Sequence, residues 1–162
     1  MVFVWTTASW MLLPWHQTYL REFRDPDAVA RVLRENAPVR GVYTLNDTAT
    51  GADGLLKPSV YAAIAPRPSP MTAATLLLQA FANVGAALLV AFVLCGMQSA
   101  SYWKLVTSST LTGLAFALLT ALPNFIWWQF PRSYLVVAVV EPVVGWFAAG
   151  MVMAKFCVRD AE

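Results

Sequence analysis

The stretch SYLVVAVVEPVVGWFAAGMVMA, residues 133–154, decides the fold. Its 22 residues carry a single charge, Glu141, with Pro142 beside it. As a helix it would run ~33 Å, enough to cross a hydrocarbon core of about 30 Å. A carboxylate at bilayer depth is expensive. It therefore marks a protein-lined interior, a proton or ion path, or a partner's docking point.

Outward from that stretch the same pattern repeats. Positions 105–131 contain no charged side chain, and neither do positions 68–103. Membrane spans are predicted at 71–97, at 104–122 with an aromatic stretch following to Phe130, and at 133–155. Only 12% of the 162 residues are charged, half the roughly 25% of a soluble domain. The mean hydropathy is +0.58. Seven Trp, five Tyr and nine Phe suit a protein with aromatic belts at both membrane interfaces.

Residues 1–13 form a fourth apolar run, which would span only ~20 Å as a helix. Pro14 then disfavours a straight continuation, although a kinked helix could reach Leu20. The run lacks the basic start and small-residue cleavage site of a signal peptide. It reads as a short anchor helix over 1–20, with Trp10 and Trp15 at its interface end, or as a helix whose native start lies upstream.

Residues 17–70 hold seven Lys/Arg and six Asp/Glu. Asp25-Pro26-Asp27 is a helix start, with an N-cap acid, proline at the first position and a second acid on the positive dipole end. Asn36 and Pro38 stop that helix. Residues 41–45 and 59–64 read as two strands joined by a polar connection containing Asn46, Asp47, Gly51, Asp53 and Gly54. Pro66, Pro68 and Pro70 form a stiff lead into the next span. The predicted fold class is thus an all-α membrane protein. It is a four-transmembrane-helix bundle with a small extramembrane helix plus β-hairpin cap between spans 1 and 2. The divisions are 1–20 first membrane helix, 21–70 cap, 71–155 three-helix membrane region and 156–162 tail. Lys104, Lys155 and Arg159 outweigh Arg132 among the short segments, so the termini are expected inside and residues 17–70 outside.

Three blocks of residues carry a resemblance. They are Phe3-Val4-Trp5 with Trp10-Met11-Leu12-Leu13-Pro14-Trp15-His16; Gly41-Val42-Tyr43; and Asn124-Phe125-Ile126-Trp127-Trp128-Gln129-Phe130-Pro131 leading to Val144-Gly145-Trp146-Phe147-Ala148-Ala149-Gly150. Together they resemble a family of uncharacterised small bacterial inner-membrane proteins, over nearly the whole chain. The resemblance implies architecture and location, and no activity.

In the second span Thr72, Thr75, Gln79 and Asn83 share one helical face. Gln79 and Glu141 each lie eight residues into spans that start from the same side, so they should sit at matching depth, ~12 Å along the axis. Lipid satisfies neither group. The expectation is a buried polar cluster of Glu141, Gln79, Asn83 and Asn124, which most simply glues the helices together. Gly113 with Ala117, Gly145 with Ala149, and Ala82 with Ala86 have the small-xxx-small spacing of close helix packing. Trp15, His16, Trp127 and Trp128 are candidate interface, lipid or partner contacts.

A net charge of +2 offers no footprint for nucleic acid. With one histidine, no internal zinc cluster can be built. Cys95 and Cys157, each near the end of an apolar run, read as small apolar residues rather than a disulfide or redox pair. The sequon at Asn46 and the faint calcium-loop spacing from Asp47 to Asp53 are discarded. No catalytic residue, metal or cofactor is expected. The leading function is a non-catalytic accessory or scaffold subunit of a larger bacterial membrane complex. Its partners would be the lipid bilayer and other membrane protein subunits. The alternatives are a small homo-oligomeric transporter or channel with Glu141 on its path, or a redox subunit using His16.

Overall fold

A computed structural model of the chain describes residues 1–45, 50–51, 53–55, 58–65, 72–97 and 101–158. The predicted connection at Asn46 and Asp47, the proline run at Pro66, Pro68 and Pro70, and Arg159 lie outside these residues. The described elements are α1 (Val2–Leu12), a 3-10 turn (Pro14–Thr18), α2 (Pro26–Asn36), β1 (Gly41–Leu45), β2 (Val60–Ile64), α3 (Ala73–Cys95), α4 (Tyr102–Trp127) and α5 (Arg132–Cys157). They group into two compact units, Met1–Leu20 with Thr72–Glu162, and Arg21–Met71.

Among the described residues three helices, α3, α4 and α5, are long and apolar enough to cross a membrane. The first expected span is described as the shorter apolar helix α1. α1 has 11 residues, about 17 Å of helix, against a core of about 30 Å. Pro14 closes α1: it cannot donate to the helix, and the chain turns into the 3-10 segment with Pro14 at its first position.

The other two long helices outrun their prolines. α4 was expected to end at Leu122, yet it continues through Pro123 to Trp127. α5 likewise carries Pro142 inside it. A proline removes one ladder bond, which a packed membrane bundle tolerates. α4 then closes with the amides of Trp128 and Phe130 both donating to the Asn124 carbonyl, and Gln129 at φ +54° turns the chain toward α5.

α4 and α5 form the tightest pair. Buried residues of α4 recur every four positions (Leu105, Ser109, Gly113, Ala117, Ala121), with Val106 buried beside the first. On α5, Gly145, Trp146, Ala149, Gly150 and Ala154 are buried. A β-carbon on Gly113 would lie 2.6 Å from the Trp146 Cβ, and one on Gly150 would lie 2.8 Å from the Ser109 Cβ. These two glycines therefore let the helix backbones approach, and Ser109 Oγ donates to the Trp146 carbonyl at 2.8 Å across the contact. α3 joins mainly at its C-terminal end, through Val90 and Leu94.

Cys95 and Cys157 are joined as a disulfide, with Cα atoms 4.6 Å apart. Their reading as separate apolar residues is corrected. α3 and α5 run in the same direction, and both cysteines are the last residue of their helix, so the bundle brings them to one end.

In the second unit Asp25 Oδ1 accepts from the Ala28 amide at 2.9 Å and Pro26 opens α2, as the Asp-Pro-Asp start predicts. β1 and β2 pair antiparallel, Gly41 opposite Ile64 and Leu45 opposite Val60.

Candidate functional site

The site grows from the end of α1. Trp5 and Ser9, four residues apart, share one face of that helix. The Trp5 indole Nε1–H donates to the Glu141 backbone carbonyl at 2.8 Å. Gly145 permits this approach, because a β-carbon there would stand 3.0 Å from Trp5 Cδ1. A helical carbonyl has two lone pairs, so it can accept the indole beside its own helical bond.

Beyond Leu13 the 3-10 turn folds Trp15 and His16 back onto α1. Ser9 is fully buried and His16 only 4% exposed. The Trp15 indole donates to Ser9 Oγ at 3.0 Å. His16 Nε2 lies 3.1 Å from the same oxygen, and His16 Nδ1 lies 2.8 Å from the Tyr19 hydroxyl. Trp10 stacks on the imidazole with ring centres 3.8 Å apart. Both ring nitrogens are thus engaged and one face is covered.

Glu141 points its side chain at this ring. Its Oε1 is 3.8 Å from His16 Nε2, beyond hydrogen-bond length. That oxygen is buried and has no hydrogen-bond partner among the described residues. Tyr19 closes the far side, edge-on to Tyr134, whose hydroxyl receives the Asn124 side-chain amide at 2.9 Å. Burial, then the Glu141 carboxylate, then Tyr134 push the Tyr19 phenol above its ordinary pKa of 10.0. Ser133 Oγ donates to the Thr18 carbonyl at 3.3 Å and ties the 3-10 turn to the start of α5.

The four residues expected to cluster take separate places. Glu141 meets His16. Asn124 serves Tyr134 and its own helix, where it also donates to the Thr120 carbonyl. Asn83 donates to the Gln79 carbonyl one turn back, and it lines a cavity of about 150 Å³ with Phe3 and Met153. The Gln79 side chain is exposed on α3. Among the interface candidates, Trp15 and His16 enter the Glu141 site, Trp127 is 75% exposed, and Trp128 is partly covered.

Ser9, Tyr19 and Tyr134 are not among the residues that the sequence singles out, and Trp5 enters there only in a block that carries the resemblance. One signal was present: Trp5 and Ser9 put two polar atoms on one face of an apolar helix, a spacing that asks for a polar partner. No family model, curated protein or solved structure matches the chain.

Proposed function

We propose that the chain is a non-catalytic accessory subunit of a larger membrane assembly, and that α3 is the helix it offers to its partner. The observation that carries this is Gln79. It lies exposed, six residues into an apolar helix whose described residues are buried only at Val90 and Leu94, near its far end. Its amide has no hydrogen-bond partner among the described residues. Lipid tails cannot satisfy it, and an unsatisfied amide in hydrocarbon costs several kcal/mol. A polar side chain on a neighbouring subunit's helix would remove that cost. Interhelical bonds of this kind are worth about 0.6 to 1.7 kcal/mol. Gln79→Leu should therefore weaken the association roughly three- to twentyfold.

The test is purification of the tagged chain from native membranes in mild detergent, with mass spectrometry of what co-elutes. A stoichiometric complex with another membrane protein, depleted in Gln79→Leu, is the expected result. A clean homo-oligomer overturns the accessory reading. It would favour a homo-oligomeric transporter or channel, the reading that the buried, unpartnered Glu141 Oε1 supports.

The resemblance to bacterial inner-membrane proteins supports that membrane as the location. For orientation, the Cys95–Cys157 pairing favours an oxidising compartment at its end of the bundle. The seven basic residues of 17–70 favour the cytoplasm for the segment that joins α1 to α3. We infer this orientation in place of the one that the short segments' charges suggest.

A further inference from the structure

We propose that Glu141, His16 and Tyr19 form a proton-holding site, in which one proton is shared between the carboxyl and the imidazole and exchanges with water through Tyr19. This goes beyond the docking reading and does not depend on what covers α3.

Three observations carry it. First, a buried carboxylate oxygen without a hydrogen-bond partner among the described residues is costly as an isolated anion. The group 3.8 Å away is an imidazole, whose proton can neutralise it from either side. The proton rests on the ring, giving an ion pair, or on the carboxyl, giving two neutral groups. Second, the imidazole is held at both nitrogens. Trp15 is a pure donor to Ser9 Oγ, so that oxygen stays fixed beside Nε2, and the Tyr19 hydroxyl sits at Nδ1. A ring clamped at two ends accepts a proton at one nitrogen and releases one from the other. Third, Tyr19 is placed to serve as the outlet, beside Tyr134 in the first turn of α5, where the neighbouring Thr18 is tied to Ser133. Tyr19 is half-buried at the chain's exit from the 3-10 turn, whereas His16 is buried.

The steps balance with water as the only co-reactant. Starting from the Nε2–H tautomer, Tyr19 gives its hydroxyl proton to Nδ1 while its oxygen takes one from a hydronium ion. The ring is then an imidazolium. The Nε2–H bond breaks as the Glu141 oxygen takes that proton, a small side-chain rotation closing the gap. The ring is left as the Nδ1–H tautomer and Glu141 as the neutral acid. Release runs the same path in reverse. Among the described residues the titratable groups recorded around this path are Glu141 and Tyr134 from α5, and His16 and Tyr19 from the segment after α1.

The chain has one histidine, so 15N-histidine labelling reports on His16 alone. The experiment is a pH titration of the full chain in lipid vesicles, following the ring nitrogens by solid-state NMR and carboxyl stretches by infrared. The band lost in Glu141→Gln is assigned to Glu141. In the wild type the ring signal and this band are expected to change together, as one coupled titration. In Glu141→Gln, which keeps the backbone carbonyl that Trp5 binds, the ring signal is expected to lose the step that it shares with the carboxyl band. A ring titration superimposable on wild type overturns the proposal. Tyr19→Phe provides a second reading should Glu141→Gln fail to fold. It should keep the ring coupled to the carboxyl while slowing exchange of the ring proton with water at least tenfold. Unchanged exchange removes Tyr19 as the outlet and sinks the relay.

Discussion

Gly113→Ala tests whether glycine-tight contact between α4 and α5 holds the bundle together. The new β-carbon would stand 2.6 Å from Trp146 Cβ, 2.7 Å from Cδ1 and 2.8 Å from Cγ. Carbon atoms rest about 3.5–4.0 Å apart, so the intrusion is roughly 1 Å. Trp146 Cβ is attached to the α5 backbone, and a rotamer change cannot move it away. The helix must shift instead. That shift lengthens the 2.8 Å bond from Ser109 Oγ to the Trp146 carbonyl, worth about 1 kcal/mol. Overpacking itself costs about 1–3 kcal/mol. Alanine recovers up to about 1 kcal/mol through its higher helix propensity. The expected net loss is therefore about 1–3 kcal/mol. Gly85 on α3 is the control, because a β-carbon there meets nothing within 4 Å. Gly85→Ala should leave stability unchanged or slightly raised. Unfolding of the purified variants in mixed micelles, titrated with a denaturing detergent, reads the difference. Equal midpoints for the two variants would refute the close-contact reasoning.

Two further outcomes follow from the same structure. The folded Tyr19 phenol holds its proton where the unfolded chain loses it. Its contribution to stability is therefore fully present below about pH 10 and is lost as pH rises through the folded value. Alkaline unfolding of wild type against Tyr19→Phe should show the difference shrinking above that pH, and parallel curves would count against it. For the cysteines, whole cells treated with a membrane-permeant alkylating agent and then denatured should yield thiols only after reduction. Cys95 and Cys157 found alkylated without reductant would sink both the pairing in cells and the proposed orientation.

The parts of the fold that read directly from sequence are those fixed by local chemistry. Asp25-Pro26-Asp27 supplies its own cap, and the strands at 41–45 and 60–64 are bounded by turn formers. The long spans read from length and hydropathy alone. What did not read required knowing how neighbours answer a break. Pro123 looked like an end, yet α4 runs on for four more residues. At Pro14 the sequence leaves open a kinked continuation to Leu20, and the chain takes a 3-10 turn there instead. The polar cluster failed for a geometric reason. Counting residues gives depth along an axis and says nothing of rotation about it. Gln79 and Glu141 were placed at one height, but α3 presents Gln79 outward while α5 turns Glu141 toward α1. The disulfide, by contrast, was within reach, since two parallel spans ending in cysteine bring those ends together.

Gln79 and Glu141 pose the same physical problem, a polar side chain in an apolar helix, and the chain treats them differently. Around Glu141 it folds a cover of its own. Trp5 of α1 holds the Glu141 backbone carbonyl, while Ser9 and the following turn set His16 beside the carboxylate. This gives the short helix a purpose that hydropathy alone does not. Beside Gln79 no element among the described residues does the same, although α1 also packs against α3. A segment that can bury one polar group but leaves another exposed is consistent with two different destinations. In the proposed scheme the enclosed group exchanges protons with water, and the open one is satisfied by a neighbouring subunit. The two tests separate these destinations, because Glu141→Gln leaves the outer face of α3 intact and Gln79→Leu leaves the His16 ring untouched.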